Sequence, residues 1–354
     1  MKHNFGAGPC ILPQKVFKQA SEAVLDFNGL SILEVSHRHK DFVEVMDEAT
    51  SLVKKALNVP SGYSVAFIQG GASLGFVVSA LNMMRKNKKA GYVDTGTWAA
   101  KAFKEANSVG INASVLASSK DKNYTYIPRE YNIPSDLDYL HYTSNNTIFG
   151  TQFKNTPKTN IPLVCDMSSD IFSKEINISD YDLIYAGAQK NLGPAGATLY
   201  IVKDEVLGAS TSDFLPTYLN LKAHVEKDSM LNTPPVFSVY VAMLNLRYLL
   251  ENGGVKSIEK KNIEKATLLY NEIDSNPLFR CPVNLEDRSN MNVTFLLEND
   301  SKKERFDSLW NQAGIVGLKG HRSVGGYRAS MYNALELDSV KVLVDIMKEL
   351  HRTA

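Results

Sequence analysis

The chain has 354 residues, of which 44% are hydrophobic, so it is long enough to bury a large core and predicts roughly two domains. Its 39 Lys and Arg residues almost cancel its 38 Asp and Glu residues, which argues against a nucleic-acid or membrane-surface protein. Three widely spaced Cys residues without a CxxC pair favour reduced thiols in the cytoplasm, so we expect no structural zinc and no other metal site. We also expect no signal peptide and no membrane helix, because no stretch is apolar for long enough.

The first part of the chain predicts helices, and then strands that alternate with helices. Helical periodicity indicates helices at 13–27 and about 40–57, with the basic segment Ser36-His-Arg-His-Lys40 at the start of the second one. From Tyr63 onward, short apolar runs alternate with helical patterns, which is typical of an α/β fold. The predicted strands lie at 65–68, 91–93, 140–143, 161–165, 183–186 and 197–202.

The last part of the chain predicts a smaller α+β unit. A helix that ends near residue 251 is followed by Gly253-Gly254, and we place a domain boundary there. Beyond it, the patterns predict helices at 256–273 and 303–313, strands at 291–297 and around Arg328, a loop at 317–326 and a final helix.

Lys190 is a candidate catalytic residue. It lies between the predicted strand at 183–186 and a turn rich in Gly and Pro, Gly193-Pro-Ala-Gly196, which holds it at a strand end. An amine that forms a Schiff base must be held in this way and partly desolvated, so that it can lose its proton. Taken alone, the pattern fits a solvated lysine in a turn better.

Other polar residues also follow predicted strands, at the edge where open α/β sheets bind their ligands. Asp166 ends the strand before the Lys190 strand, Gly70-Gly-Ala-Ser73 opens a helix, and Trp98 begins the next helix. Pyridoxal phosphate needs a lysine for its aldehyde, a carboxylate for its ring nitrogen, donors for its phosphate and a flat partner for its ring. Each residue alone also has a plainer interpretation, as a turn Asp, a tight turn or a core Trp.

Several segments in order along the chain form a more specific pattern. They are Ser36-His-Arg38, Gly70-Gly-Ala, Asp166-Met-Ser-Ser, Tyr185-Ala-Gly-Ala-Gln-Lys-Asn-Leu-Gly-Pro-Ala-Gly196, Asn232-Thr-Pro-Pro and Gly320-His-Arg-Ser-Val-Gly-Gly-Tyr-Arg-Ala-Ser330. Together with the start, Asn4-Phe-Gly-Ala-Gly-Pro9, they closely resemble the phosphoserine aminotransferase family. This is a family of class V pyridoxal-phosphate enzymes.

The resemblance implies a fold, a cofactor and a reaction. The fold is the type I aminotransferase fold of the α/β class. Its large domain, at 15–254, has a mostly parallel seven-stranded sheet flanked by helices, and its smaller α+β domain is formed by 1–14 and 255–354. The family implies a homodimer with shared active sites and one pyridoxal 5'-phosphate per subunit. The reaction is a ping-pong transfer of an amino group from L-glutamate to 3-phosphohydroxypyruvate, giving O-phospho-L-serine and 2-oxoglutarate for serine biosynthesis.

The resemblance also implies which residues bind the cofactor. Lys190 is implied as the Schiff-base lysine and Asp166 as the partner of the pyridinium nitrogen. Trp98 would stack on the ring, and Thr147 would contact its hydroxyl group. The implied phosphate ligands are Ala72, Ser73 and Gln189, joined across the dimer by Asn232 and Thr233.

Two anion sites are expected, because glutamate and phosphoserine each carry an α-carboxylate and a second, distal anion. Arg328 resembles the α-carboxylate ligand, since a guanidinium can bind both carboxylate oxygens. His37 and Arg38, with His321 and Arg322, resemble the site for the distal anion, some of them contributed across the dimer. His39, which extends this basic cluster, has no assigned role.

Other functions stay open at this stage. A class V aminotransferase for small uncharged substrates, such as an alanine–glyoxylate enzyme, would gain little from a second His/Arg pair. A cysteine desulfurase is disfavoured because Cys10, Cys165 and Cys281 lack a catalytic-loop context. A non-catalytic anion-binding relative with the same fold is the alternative from another class. The sequence also leaves open whether the enzyme aminates the longer phosphorylated keto acid of vitamin B6 synthesis.

Overall fold

The computed structural model describes residues 2–353. Its helices are α1 (Gln14–Leu25), α2 (Lys40–Ala56), α3 (Ala72–Met83), α4 (Thr97–Ser108), α5 (Leu221–Val225), α6 (Val236–Glu251), α7 (Gly254–Ser275), α8 (Lys303–Gln312) and α9 (Leu337–Arg352). Its strands are β1 (His3–Asn4), β2 (Tyr63–Gly70), β3 (Lys89–Asp94), β4 (Asn112–Ser118), β5 (Tyr139–Thr143), β6 (Asn145–Asn146), β7 (Thr151–Gln152), β8 (Leu163–Asp166), β9 (Leu183–Gly187), β10 (Gly196–Lys203), β11 (Phe279–Arg280), β12 (Asn292–Leu297), β13 (Ile315–Val316) and β14 (Tyr327–Ser330).

The largest sheet has seven strands in the order β2-β10-β9-β8-β5-β3-β4. Strand β10 is antiparallel to both of its neighbours, whereas β9, β8, β5, β3 and β4 run parallel to one another. The predicted α/β fold with a mostly parallel seven-stranded sheet is therefore confirmed. The parallel order matters for function, because it brings the carboxyl ends of β5, β8 and β9 to one edge.

Strand β9 shows why the apolar runs of the sequence form central strands. All of its residues are buried, and they alternate between two cores: Ile184 and Ala186 pack on one side of the sheet, Leu183 and Tyr185 on the other. Helices α1, α2 and α6 cover the first side, and α3 and α4 cover the second. A strand covered on both faces needs an unbroken apolar run, which is the pattern seen in the sequence.

Helix α3 packs unusually close to β9. A Cβ atom at Gly75 would lie 2.7 Å from Cδ2 of Tyr185, so only glycine permits this approach without rearrangement. The close contact places the N-terminus of α3 at the carboxyl edge of the sheet. This is the position in which a helix end can bind an anionic ligand of the sheet edge.

The sequence did not predict strand β4, which forms one edge of the large sheet. It carries several small and polar residues, Asn112-Ala-Ser-Val-Leu-Ala-Ser118, and none of them is fully buried. An edge strand with one partner needs no apolar face on both sides, so its pattern is weak. The other predicted strands and helices agree with the observed ones to within a few residues.

A second core lies under the three-stranded sheet β11-β12-β14. Helices α7, α8 and α9 supply most of its apolar side chains, and Phe5, next to β1, is fully buried in the same core. Strand β1 pairs in parallel with β13, so the start of the chain joins this C-terminal core. The division into domains at 15–254 and at 1–14 with 255–354 stays a prediction. Within residues 2–353, no helix combines the length and the apolar character that crossing a bilayer requires.

Candidate active site

A cavity of about 320 Å³ lies at the carboxyl edge of β5, β8 and β9. The structure brings most of the predicted site residues together here. Those that line the cavity are Ala72, Ser73, Trp98, Thr147, Asp166, Gln189, Lys190, His321 and Arg328.

Lys190 is held in a tight turn directly after β9. Its backbone N–H donates to the carbonyl of Ala188 at 2.7 Å, and that carbonyl also accepts from Gly193 N at 2.8 Å. The thiol of Cys10 donates to the Lys190 carbonyl at 2.9 Å. The side chain is only 9% exposed, and its Nζ donates to Oγ1 of Thr147 at 2.8 Å. The amine is therefore fixed at the cavity and is largely shielded from solvent.

The pKa of Lys190 is lowered to about 8, mainly because burial disfavours the charged form. The carboxylate of Asp166 opposes this shift, and the guanidinium of Arg328 adds to it. A sizeable fraction of the amine is therefore neutral near pH 8. A neutral, fixed amine can attack a carbonyl group and can accept a proton, which a surface lysine does poorly at this pH.

Asp166 ends β8 beside the Lys190 strand. Burial raises its pKa, while two hydrogen bonds from Ser168 to Oδ1, from N at 2.9 Å and from Oγ at 2.6 Å, oppose the shift. Ser168 Oγ also accepts from Gly187 N at 3.0 Å, which ties the carboxyl group to the end of β9. No donor within residues 2–353 contacts the other oxygen, Oδ2. Asp166 therefore presents an unpartnered carboxylate oxygen in a largely buried site, suited to a cationic N–H group.

The N-terminus of α3 also lines the cavity, through Gly71, Ala72 and Ser73. Gly71 is its N-cap residue, and no side chain caps the helix. At Gly187, a Cβ atom would lie 2.7 Å from Oε1 of Gln189 and 3.3 Å from N of Ala72. Glycine at this position therefore lets the helix end approach the strand that leads to Lys190. The uncapped N–H groups and the helix dipole favour a phosphate here.

Buried polar atoms around the cavity lack a partner in the described part of the chain. They are Nε1 of Trp98, Oγ1 of Thr143 and Nε of Arg328. Buried polar groups without a partner cost free energy, so this cluster indicates a polar ligand that supplies the missing contacts. Pyridoxal phosphate fits the residues present, because the cavity offers an amine, a carboxylate and an anion site together.

Five predicted residues do not line this cavity: His37, Arg38, Asn232, Thr233 and Arg322. His37 is buried, and its Nε2 has no partner within residues 2–353, whereas Arg38 and Thr233 are exposed. The structure does explain His39, which had no assigned role. It is the N-cap residue of α2, where its Nδ1 accepts from Asp41 N at 3.4 Å.

Sequence reasoning missed Ser168 and Thr143. Ser168 lies two residues after Asp166, a spacing at which a hydroxyl and a backbone N–H can both reach the Asp side chain. That spacing was a usable signal. Thr143 is the last residue of the predicted strand 140–143 and pairs with Asp166, so its position at a strand end was a usable signal as well.

Comparisons with known proteins identify a family that the chain resembles over nearly its whole length. Residues 3–343 match the family model of aminotransferase class V. The phosphoserine aminotransferase of Flavobacterium psychrophilum is 59% identical over 352 residues, which cover 99% of this chain and 98% of that protein.

Solved structures are also similar over the whole chain. The phosphoserine aminotransferase of Bacillus circulans subsp. alkalophilus is 42% identical, with a TM-score of 0.96 and coverage of 100% of this chain and 99% of that chain. The pyridoxal-phosphate-bound phosphoserine aminotransferase of Trichomonas vaginalis is 34% identical, with a TM-score of 0.94 and coverage of 98% and 100%.

Proposed function

Since the chain belongs to the phosphoserine aminotransferase family of the class V aminotransferases, we propose that it transfers the amino group of L-glutamate to 3-phosphohydroxypyruvate. The products are O-phospho-L-serine and 2-oxoglutarate, and we place the reaction in cytoplasmic serine biosynthesis. The observation that carries the proposal is the buried Lys190 amine, whose pKa is lowered to about 8, in one cavity with Asp166 and the N-terminus of α3.

The residues that would hold pyridoxal 5'-phosphate follow from the geometry of the cavity. Asp166 would accept from the ring nitrogen through Oδ2, and Trp98 would cover one face of the ring. The N-terminus of α3, with Ser73 and Gln189, would bind the phosphate. When bound, the cofactor supplies an aldehyde that reacts with amines and a ring that takes up negative charge from the carbon next to the amine.

Lys190 has two tasks in this proposal. Its neutral form would hold the cofactor through the aldehyde, and once a substrate amine had displaced it, the freed Nζ would remove the proton from the substrate carbon in the first half-reaction and deliver one to that carbon in the second. The hydroxyl of Thr147, at 2.8 Å, holds Nζ in place between these steps. Since Lys190 is 9% exposed, little water can compete for the proton.

Arginine and histidine side chains account for the two anionic groups of each substrate. Arg328 lines the cavity on β14 and would bind the α-carboxylate in a bidentate manner. His321 lines the same cavity, and with His37, Arg38 and Arg322 it would bind the distal phosphate or γ-carboxylate. Two cationic sites would explain a preference for a phosphorylated substrate over one that lacks the distal anion.

A homodimer would complete the site. Support comes from residues that do not line the cavity of their own chain, His37, Arg38, Asn232 and Thr233. Two apolar side chains close in sequence to His37 and Arg38 are exposed, Leu30 at 49% and Leu33 at 63%. Exposed apolar residues beside an incomplete polar site are typical of a surface that a second copy covers. Mixing inactive Lys190→Ala and Arg38→Ala proteins should restore activity if Arg38 acts across the dimer, and no restoration would contradict that assignment.

A coupled assay with glutamate as donor tests the function. We expect a much higher kcat/KM for 3-phosphohydroxypyruvate than for hydroxypyruvate, because only the former carries the distal anion. Equal values for both acceptors would contradict the role of His37, Arg38, His321 and Arg322. Faster reaction of alanine with glyoxylate would instead favour the alternative aminotransferase.

A further inference from the structure

A second lysine, Lys265, is buried away from the cavity in helix α7. Its side chain is 2% exposed, and all three of its hydrogen bonds go to backbone carbonyls: Met331 at 3.1 Å, Tyr332 at 2.9 Å and Leu335 at 3.0 Å. Burial lowers its pKa to about 7. Burying an amine costs desolvation free energy, which an apolar side chain of similar size would avoid. The presence of a lysine here, with three hydrogen bonds, therefore needs an explanation.

The turn that Lys265 holds, at 331–335, directly follows strand β14. Arg328 lies on β14, three residues before the turn, with its guanidinium Nη1 at 3.4 Å from the Thr147 carbonyl. Fixing the turn therefore fixes the end of the strand that carries the expected α-carboxylate ligand.

The same turn also contacts the loop that carries Lys190. The backbone N–H of Asn333 donates to Oδ1 of Asn191 at 3.0 Å, and Asn191 directly follows Lys190. The Asn333 side chain donates to the carbonyl of Phe172 at 2.9 Å. Phe172 is buried at φ 60°, a left-handed conformation that a bulky residue rarely adopts, so it needs such support.

Asn262 reinforces this arrangement from the same face of α7, one turn before Lys265. Its Nδ2 donates to the Ser173 carbonyl at 3.2 Å and to Oδ1 of Asn333 at 2.9 Å. Ser173 belongs to the segment that follows Asp166. One face of α7 therefore contacts the segments that follow Asp166 and Arg328, and Asn333 of the turn links it to the segment that follows Lys190.

We propose that Lys265 is a positioning residue, which acts through the 331–335 turn to hold Arg328 and the Lys190 loop in the geometry that binds substrate and cofactor. The expected change in KM rests on the proposed function. The expected change in cofactor affinity needs no turnover and rests on the contacts alone.

The test compares Lys265→Met with two variants of the same helix. Leu269→Ala removes a fully buried side chain from the core next to the turn and lowers stability without removing a hydrogen bond to the turn, and Lys260→Met changes an exposed lysine. We expect Lys265→Met to raise the KM for glutamate and the dissociation constant of pyridoxal 5'-phosphate, followed by absorbance, by about tenfold each, with a smaller change in kcat. The two controls should stay within about twofold of the wild type in both quantities, because neither removes a hydrogen bond that holds the turn.

Two results would overturn the proposal: unchanged KM and dissociation constant in Lys265→Met, or the same increases in Leu269→Ala. If Lys265→Met does not fold, Asn333→Ala tests the role of the turn instead. We expect about a threefold increase in both constants, because this variant loses the side-chain hydrogen bonds of Asn333 to Asn262 and Phe172. A wild type that binds the cofactor but does not transaminate would refute the proposed function, and the comparison of cofactor dissociation constants would still test the role of Lys265.

Discussion

Lys190 and Lys265 are both buried lysines with a lowered pKa, about 8 and about 7, yet their surroundings differ completely. Lys190 donates to one hydroxyl group and faces a cavity, whereas Lys265 uses all its donors on three carbonyls of one turn. Burial and pKa are therefore similar at a candidate nucleophile and at a lysine that fixes the backbone. The number and kind of hydrogen bonds that each amine makes distinguish the two roles.

The comparison predicts that a substitution at Lys190 lowers mainly kcat, whereas a substitution at Lys265 raises mainly KM. Lys190→Ala should lower kcat by at least about 10³-fold, because it removes the amine that we propose binds the cofactor and transfers the proton. The cofactor-free variant should be no less stable than the wild type, because the change removes a buried amine. Steady-state kinetics and thermal denaturation of the cofactor-free proteins measure the two effects. Near-native turnover in Lys190→Ala would remove the distinction between the lysines.

A second prediction concerns the pH at which the cofactor-free protein takes up pyridoxal 5'-phosphate. Only the neutral amine attacks the aldehyde, and the pKa of Lys190 is lowered to about 8, so the uptake rate should rise with pH and level off above about pH 8. Stopped-flow absorbance between pH 6.5 and pH 9.5 provides the profile. The Lys260→Met protein serves as the control, and its profile should keep the same midpoint, because Lys260 is exposed and does not line the cavity. A flat wild-type profile would show that the Lys190 amine does not limit uptake.

The smallest expected effect is on the pH dependence of stability. The folded-state pKa of Lys265, about 7, lies below the usual lysine value of 10.5, so between these values the unfolded chain binds more protons. The wild type should therefore gain stability relative to Lys265→Met as pH rises from 7 to 9, by at most about 1.4 kcal/mol per pH unit. Urea denaturation of both cofactor-free proteins at the two pH values measures the difference. A difference that falls as pH rises would contradict the lowered pKa.

Much of the site could be predicted because its residues lie where local patterns end. Asp166 and Lys190 follow apolar strands, and Ser73 lies at the start of a helix, so the neighbouring order of parallel strands was enough to bring them together. The supporting contacts could not be predicted in this way. Ser168 was signalled only by its spacing from Asp166, and Lys265 was one of several lysines in an amphipathic helix.

The residues expected across the dimer mark a second limit. His37 and Asn232 carry specific motifs, yet one chain does not place them at its own cavity. The resemblance assigns Asn232 to the neighbouring subunit, whereas for His37 and Arg38 it does not say which subunit supplies them. The mixing experiment with Lys190→Ala and Arg38→Ala addresses that question directly.

The sequence by itself determined the alternation of strands and helices, the family and the turn that holds Lys190, because periodicity and turn residues act over a few neighbours. Only the tertiary structure decided what surrounds that lysine. Thr147, 43 residues away in the chain, receives its hydrogen bond, and Asn333, 142 residues from Asn191, supports the loop after it. Such contacts depend on the strand order and on how α7 packs, and no local pattern encodes either.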